Sequence, residues 1–209
     1  MRRAHSREDW ALGFQDETWW SRFAKPNLHA WSDKKHPLRL VEQDKKKDDP
    51  DPKALACYGL LLRWTDPEDD DQDDDQDDEI LLRFVDGRPI SEITIQFLEW
   101  SCDKLWERGM RVLVMIWDNA SWHISGKVRT WIHEHNRKVK KEGEGVRILA
   151  CLLPIKSPWL NPIEPVWLHA KRRIVEPNGT LSAATMASRI CATLDCSHEP
   201  HLCVPENVS

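Results

Sequence analysis

Residues 112–119 read VLVMIWDN, six apolar residues followed by an Asp-Asn pair. A run that is apolar on both faces predicts a central strand buried between helices. The run is far shorter than a membrane-spanning helix, and the first thirty residues contain no apolar signal-peptide core. Because ligands of open α/β sheets bind beyond the carboxyl ends of the strands, Asp118 stands where a functional carboxylate is expected.

Five apolar segments have the length and composition of strands. They are residues 10–16, 54–64, 80–85, 112–117 and 146–153. The first alternates with polar neighbours, so its inner face is predicted to end in the carboxylate of Asp16. The last, like the central one, is predicted to be buried.

Four further segments have the spacing of helices. Ser91 is predicted to cap the first, which Gly109 ends. The others lie over residues 128–139, from Asn161-Pro162 onward and over residues 181–194. Three strands followed by alternating helices and strands predict an α/β fold with a mixed sheet and helices on both faces.

Charge is distributed unevenly along the chain. The formal net charge is −5, yet residues 66–79, here called the acidic tract, hold 11 acidic residues and no basic one. The rest of the chain has 24 acidic residues against 30 Lys and Arg, a formal charge of +6 that permits a polyanionic partner. The tract itself is predicted to be a solvated, disordered loop that enlarges a hairpin, with a protein-interaction module as the alternative.

The six cysteines include no CxxC pair, which favours a reducing cytosol over a disulfide-stapled secreted protein. Several metal-binding residue types gather near the C-terminus: Cys191, Cys196, His198, His201 and Cys203. Their spacing matches no known zinc pattern, so this segment is predicted to be a tail rather than a zinc site.

Three carboxylates occupy positions suited to a site: Asp16, Asp118 and Glu164. If the first strand lies beside the central one, all three converge at one edge of the sheet. Their mutual repulsion would then be relieved by a hard divalent cation. Each has a structural alternative, because an Asp after a strand forms turns or caps helices, and Glu164 with Asn161 matches a capping box.

The sequences around these carboxylates form recognisable motifs. D-N-x-x-x-H follows the buried strand, S-P-x-L-N-P-I-E-x-x-W-x-x-x-K opens a helix, and GFQDETWWSR surrounds Asp16. Together they resemble the catalytic domain of DDE-type transposases, in particular the bacterial insertion-sequence group related to the mariner transposons. The resemblance covers residues 12–175 and implies a ribonuclease H-like fold. We therefore expect a lead-in over 1–9, a catalytic domain over 10–175, and a C-terminal helix and tail over 176–209.

The resemblance also implies roles for individual residues. The triad that coordinates two Mg²⁺ or Mn²⁺ ions would be Asp16, Asp118 and Glu164, since Glu17 alternates to the opposite face of its strand. Two residues would brace the site or touch a phosphate, with helix capping as the alternative: Asn119 and His123. Three basic residues would reach DNA phosphates: Lys156, Lys171 and Arg172. Base stacking is considered for Trp159 and Trp167, but core packing is the expectation.

The implied function is cut-and-paste DNA transposition, with metal-dependent strand cleavage at transposon ends and transfer of the 3′-hydroxyl into target DNA. The expected partners are double-stranded DNA, a second copy of the chain in a homodimer, and no membrane. Only about ten residues precede the first strand, so a helix-turn-helix chain from an upstream reading frame is expected to recognise the ends. The expected location is the bacterial cytoplasm, at the nucleoid. The alternative is a catalytically inactive DNA-binding or regulatory remnant.

Overall fold

The computed structural model describes residues 8–24, 47–63, 78–155, 157–175 and 180–204. The strands are β1 (Trp10–Ser21), β2 (Ala54–Arg63), β3 (Glu79–Asp86), β4 (Val112–Trp117), β5 (Arg147–Leu152) and β6 (Leu202–Cys203). The helices are α1 (Ser91–Glu107), α2 (Gly126–Glu142), α3 (Ile163–Arg173) and α4 (Ala183–Thr193), with one 3₁₀ turn at Pro158–Leu160. Within these described ranges, no helix has both the length and the apolar character needed to cross a membrane.

The strands form one mixed sheet in the order β5-β4-β1-β2-β3-β6. The meander from β1 to β3 is antiparallel, whereas β4 runs parallel to both β1 and β5, and β6 runs parallel to β3. The sheet carries helices on both faces, so the predicted α/β class and mixed topology are confirmed. β1 lies between the antiparallel and parallel halves, and both of its edges are paired.

Side-chain alternation along β1 divides the hydrophobic core in two. Leu12 and Phe14 point to the face covered by α3 and α4, and Ala11 points to the face covered by α1 and α2. Burying a large aliphatic or aromatic side chain contributes roughly 1.5–3 kcal/mol, so both layers hold their helices firmly against the sheet. Residues 16 and 17, next along β1, therefore project to opposite faces.

Three predicted elements differ from the structure. β1 does not end at Asp16, because its pairing with β2 continues to Ser21↔Ala54, whereas its pairing with β4 stops at Phe14↔Ile116. β5 is an edge strand with only Ile148 buried, so its predicted burial is wrong. The predicted tail contributes β6, which pairs with Val85 and Asp86 of β3. An apolar run does not reveal whether a second layer covers it.

Helix capping also departs from expectation. Ser91 is the first residue of α1 rather than its cap, because the N-cap position is Ile90 and no side chain bonds there. Ser125 caps α2 by accepting a hydrogen bond from the Val128 N–H. α2 ends at Glu142 and is followed by Gly143, whose φ of 75° is the left-handed conformation that glycine adopts readily.

The predicted hairpin between β2 and β3 is confirmed by the register Leu62↔Glu79. Glu79, assigned to the acidic tract from sequence, is the first residue of β3 and pairs with Arg108. Asp78 pairs with Arg63 at 3.0 Å, across the two strand ends. The expectation of a disordered loop for the rest of the tract lies outside the described residues.

Gly59 allows α3 to close onto the sheet. It lies opposite Asp16 in the β1–β2 register. A Cβ atom at Gly59 would lie 2.4 Å from Cη2 and 2.5 Å from Cζ2 of Trp167, far inside van der Waals contact. The indole of Trp167 therefore occupies the space that any other residue at 59 would fill.

The substitution Gly59→Ala should lower the free energy of unfolding by roughly 1–3 kcal/mol, because the buried indole must move to admit the methyl group. Urea denaturation measures this. The matched control is Gly126→Ala, in α2, where an added Cβ meets nothing within 4 Å. That control should be neutral or stabilising, since alanine is the better helix former. Equal stability of the two variants would show that the indole does not pack as described.

Candidate active site

Asp16 lies inside β1 at the point where the neighbouring strand β4 ends. Its side chain faces α3, and its Oδ2 accepts a hydrogen bond of 3.1 Å from Nε1 of Trp167. Burial, and to a smaller extent the negative charges of Glu17 and Glu164, raise the pKa of Asp16 to about 7. The structure therefore brings the carboxylates of Asp16 and Glu164 into electrostatic contact across the β1–α3 interface.

Glu164 lies in the first turn of α3, and the capping box predicted for it does not form. The N-cap position is Pro162, with no side-chain cap. The buried Asn161 side chain instead donates a hydrogen bond of 3.1 Å to the carbonyl of Gln15, which ties the start of α3 to β1. Within the described ranges, the Glu164 carboxylate has no hydrogen bond or ion pair, which leaves both oxygens free for a ligand.

Asp118 follows β4 directly and does not cap α2. Its Oδ1 accepts hydrogen bonds of 2.8 Å from the Ala120 N–H and from Nδ1 of His123. The hydrogen bond from His123 holds the pKa of Asp118 below its usual range. The side chain is 51% exposed, so the carboxylate is fixed through one oxygen while remaining open to solvent.

Asn119 also does not cap α2. Its Nδ2 donates a hydrogen bond of 2.7 Å to the carbonyl of Leu153, just beyond the end of β5. The side chain therefore ties the end of β4 to the end of β5. The role of Asn119 at the site, bracing or phosphate contact, stays a prediction.

His123 joins Asp118 to Glu17, a residue that sequence reasoning set aside. Nε2 of His123 lies 2.8 Å from Oε1 of Glu17, and the imidazole is fully buried. Ionised carboxylates only accept hydrogen bonds, so both ring nitrogens donate and the ring is an imidazolium. Burial alone would lower the pKa of His123, but the hydrogen bonds to Asp118 and Glu17 outweigh it and raise the pKa to about 9.

Glu17 is itself held from several directions. Trp122 Nε1 donates to its Oε2 at 3.1 Å, and Gln15 Nε2 donates to its Oε1 at 2.9 Å. The ring of His123 stacks on Trp117, with centroids 4.6 Å apart. Sequence reasoning placed Glu17 correctly on the face opposite Asp16. The role of Glu17 could have been inferred from the histidine of D-N-x-x-x-H, because a buried imidazolium needs a hydrogen-bond acceptor for each of its two ring nitrogens.

The predicted phosphate-binding residues have different environments. Lys171 Nζ donates to Oγ1 of Thr18 at 2.6 Å and lies 5.7 Å from the ring centroid of Trp20, so it faces β1 and is half-buried. Arg172 is exposed on the outer side of α3. Lys156 lies outside the described residues. Of these three, the described part of the chain shows one basic side chain directed to solvent.

The two tryptophans of the S-P-x-L-N-P-I-E motif behave differently. Trp167 is buried and packs edge-on against Trp20 with centroids 5.9 Å apart, so its predicted core position is confirmed. Trp159 is 75% exposed, so the core prediction is wrong for this residue. It lies in the short 3₁₀ turn, where no second layer covers it.

The three predicted carboxylates come from neighbouring elements at the same end of β4. Asp16 lies two residues beyond the last β1–β4 pair, Phe14↔Ile116, as does Asp118. Among the residues described, however, no three His, Cys, Asp or Glu side chains lie close enough to hold a metal ion together. Asp118 is held by hydrogen bonds from the Ala120 N–H and His123. The donor chemistry nevertheless fits Mg²⁺ or Mn²⁺, because carboxylate oxygens are their preferred ligands and Glu164, whose charge acts on Asp16, has no ion-pair partner among the described residues.

The family model described as DDE superfamily endonuclease matches residues 74–183, more than half of the chain. The chain belongs to this family. The matched segment contains Asp118 and Glu164, whereas Asp16 precedes it. Among curated proteins, none matches this chain by sequence.

Solved structures show the same fold. The Mos1 transposase paired-end complex with the left transposon end matches with a TM-score of 0.55 and 14% identity over 89% of this chain. The Mos1 mariner paired-end complex with Mn gives 0.54 and 14% over 90%, and the Mos1 strand transfer complex gives 0.53 and 14% over 89%. The chain covers 47–48% of those chains, about half their length. The predicted DDE-type catalytic domain and its ribonuclease H-like fold are thereby confirmed.

The variant Asp16→Asn should be more stable than the unmodified protein at pH 8 but not at pH 4. Asp16 has a folded pKa of about 7 against an ordinary value of 3.8, so the folded protein resists an ionisation that the unfolded chain undergoes. The cost is absent below about pH 4, grows between the two values and is complete above about pH 7. At about 1.4 kcal/mol per pKa unit, the free energies of unfolding of the variant and the unmodified protein should differ by a few kcal/mol at most.

Urea unfolding with a chelator present, at pH 4, 6 and 8, measures this difference. The matched control is Asp103→Asn, an exposed acidic residue of α1 that should leave the pH profile unchanged. Parallel profiles for Asp16→Asn and the unmodified protein would show that Asp16 ionises in the folded state as it does in the unfolded chain.

Proposed function

We propose that this protein is the catalytic domain of a DNA transposase that cleaves transposon ends and transfers the 3′-hydroxyl into target DNA. The observation that carries the proposal is the placement of three carboxylates, Asp16, Asp118 and Glu164, in a domain of the DDE superfamily endonuclease family. Asp16 and Glu164 interact across the β1–α3 interface, and Asp118 stands at the end of the adjoining strand. Oxygen ligands grouped at the carboxyl end of a central strand suit a site for phosphodiester chemistry.

The proposed metal ligands are the three carboxylates. When bound there, two Mg²⁺ or Mn²⁺ ions would activate the attacking oxygen and stabilise the leaving oxygen of a phosphodiester. One of the matched Mos1 structures is a complex with Mn, which supports this assignment by analogy. The Glu164 oxygens are free for such a ligand, and a cation would favour ionisation of Asp16, whose pKa is raised first by burial and then by the charges of Glu17 and Glu164.

The buried pair of His123 and Glu17 would set the position of Asp118. Through Nδ1, His123 fixes one oxygen of Asp118 and leaves the other toward solvent. Through Nε2 it is anchored to Glu17, whose side chain is only 7% exposed. We therefore assign Glu17 and His123 as positioning residues, since they act through Asp118.

The proposed DNA-binding surface is the outer side of α3 and the turn before it. Arg172 and Arg173 are exposed there, and Trp159 presents its ring to solvent. Lys156, outside the described residues, stays a proposed phosphate contact. Arginine guanidinium groups bind phosphates, and exposed aromatic rings stack on unpaired bases. Lys171 would add positive charge from the side of α3 that faces β1, since its Nζ donates a hydrogen bond to Thr18.

The proposed partners follow from the extent of the match. Two of the matched Mos1 structures are a paired-end complex with the left transposon end and a strand transfer complex, and this chain covers about half of each matched chain. We propose double-stranded DNA as substrate, a homodimer as the active form, and a helix-turn-helix chain for end recognition. The proposed location is the bacterial cytoplasm, at the nucleoid. An inactive DNA-binding remnant is the alternative that the experiments below distinguish.

Millimolar Mn²⁺ should raise the melting temperature of the chelator-treated protein by several degrees, because an ion that binds only the folded state stabilises it by mass action. The triple variant Asp16→Asn, Asp118→Asn, Glu164→Gln should lose this rise. The matched control is deletion of residues 66–77, which removes most of the acidic tract but keeps the Arg63–Asp78 pair and should retain the rise. A rise that survives in the triple variant but disappears on deletion would place the ion on the tract and favour the remnant.

Asp118→Asn and Arg172→Ala should have opposite effects on cleavage and binding. Asp118→Asn should abolish Mn²⁺-dependent nicking of supercoiled plasmid while leaving duplex affinity equal or slightly higher. Arg172→Ala should weaken binding to all duplexes alike and reduce the salt dependence by about one unit, for one lost phosphate contact. Fluorescence anisotropy at several salt concentrations measures both affinities.

The control for this pair is Arg137→Ala, an exposed arginine of α2 on the opposite face of the sheet. It should leave affinity unchanged. An equal loss in Arg137→Ala would contradict the α3 surface. Nicking that persists in Asp118→Asn would refute the triad, and DNA binding without any nicking by the unmodified protein would support the remnant.

A further inference from the structure

The end of α4 folds back on itself and brings two cysteines together. Asp195 has φ of 50°, the left-handed conformation, and the Cys196 N–H donates to the carbonyl of Cys191 at 3.0 Å. This bond spans six residues and is the defining contact of the Schellman motif. The motif ordinarily places two apolar side chains against each other, and here both are cysteines.

The two thiols meet at the edge of the core. Cys191 is buried at 5% exposure, and Cys196 packs against the same hydrophobic cluster while remaining partly exposed. Cys191 Sγ donates a hydrogen bond of 3.8 Å to the carbonyl of Ser197, the residue after Cys196. The interaction of the two thiols lowers the pKa of Cys191 and raises the pKa of Cys196. Two cysteines held together by one Schellman motif, with one sulfur reachable from solvent, have the arrangement needed for ring closure.

The other four cysteines are not held in the Schellman motif. Cys57 lies in the same hydrophobic cluster, but it is fully buried in β2 and accepts a hydrogen bond of 3.0 Å from Trp20 Nε1, and Cys102 is buried on the inner side of α1. Cys151 is exposed on the edge strand β5, and Cys203 on β6 donates to Asp86. None of these four has a second thiol as its hydrogen-bond partner.

We propose that Cys191 and Cys196 form a redox-reactive dithiol that closes to an intramolecular disulfide when it meets a low-molecular-weight disulfide such as oxidised glutathione. The Cys196 sulfur, the more exposed, attacks one sulfur of the oxidant, and the departing glutathione thiolate takes up the proton. The Cys191 sulfur then attacks Cys196, forms the new S–S bond and expels the second glutathione as a thiol. Two protein thiols are oxidised, and one glutathione disulfide is reduced to two thiols. This inference does not depend on the proposed transposase activity.

Peptide mapping tests the proposal directly, because Arg189 is the last basic residue and trypsin releases residues 190–209 as one peptide. The full chain carrying Cys203→Ser is treated with oxidised glutathione in native buffer, alkylated and digested. We expect this peptide unalkylated and about 2 Da lighter than its reduced form, the mass of two hydrogens lost in disulfide formation. Dithiothreitol should restore two alkylated cysteines. Two alkylated thiols after oxidation, or two glutathione adducts, would overturn the proposal.

Thermal unfolding provides a second readout. Oxidation should raise the melting temperature of the Cys203→Ser protein, since a cross-link restricts the unfolded chain. The protein carrying both Cys196→Ser and Cys203→Ser should show no rise, and Cys151→Ser should behave like the unmodified chain. An equal rise in the protein carrying both Cys196→Ser and Cys203→Ser would contradict the proposal, because it would arise without this disulfide.

Discussion

The hydrogen bond from Trp167 to Asp16, made over the bare backbone of Gly59, is the contact on which the arrangement of the site depends. The indole fills the space above Gly59 and fixes how closely α3 approaches β1. The same contact buries Asp16 and holds Glu164 near it, at the start of the same helix. One aromatic side chain thus serves both the packing of a layer and the electrostatics of the candidate catalytic pair.

Strand alternation lets two consecutive residues anchor opposite sides of the sheet. Asp16 faces α3, while Glu17 faces the segment between β4 and α2 and holds His123 there. His123 in turn fixes Asp118, so the order of Asp118 depends on a buried ion pair beneath it. Such pairs are costly to disrupt because removing one partner leaves a charge buried without compensation. The Glu17–His123 pair therefore holds the Asp118 carboxylate in a fixed position, although that carboxylate is half exposed.

Sequence reasoning predicted the mixed sheet because hydrophobic periodicity and length separate strands from helices well in this chain. It failed where a residue's burial or hydrogen bonding depends on residues distant in sequence. Among the described residues, β5 is largely exposed because it lacks a covering layer. Asn161 does not cap α3 because its side chain donates to the carbonyl of Gln15. The grouping of Asp16 with Glu164 could be anticipated from the motifs, whereas the hydrogen bond from His123 to Glu17 required the fold.

The ion pairs at the start of β3 lie at the opposite end of the sheet from Asp118. Leu12 pairs with Arg63, so the hairpin ends lie at the amino end of β1, away from the carboxyl end of β4 that bears Asp118. Arg63 with Asp78 joins the two strand ends, and Arg108 with Glu79 ties the start of β3 to the end of α1. In this chain the connection between β2 and β3 is therefore a place where length and charge can change at a distance from Asp118.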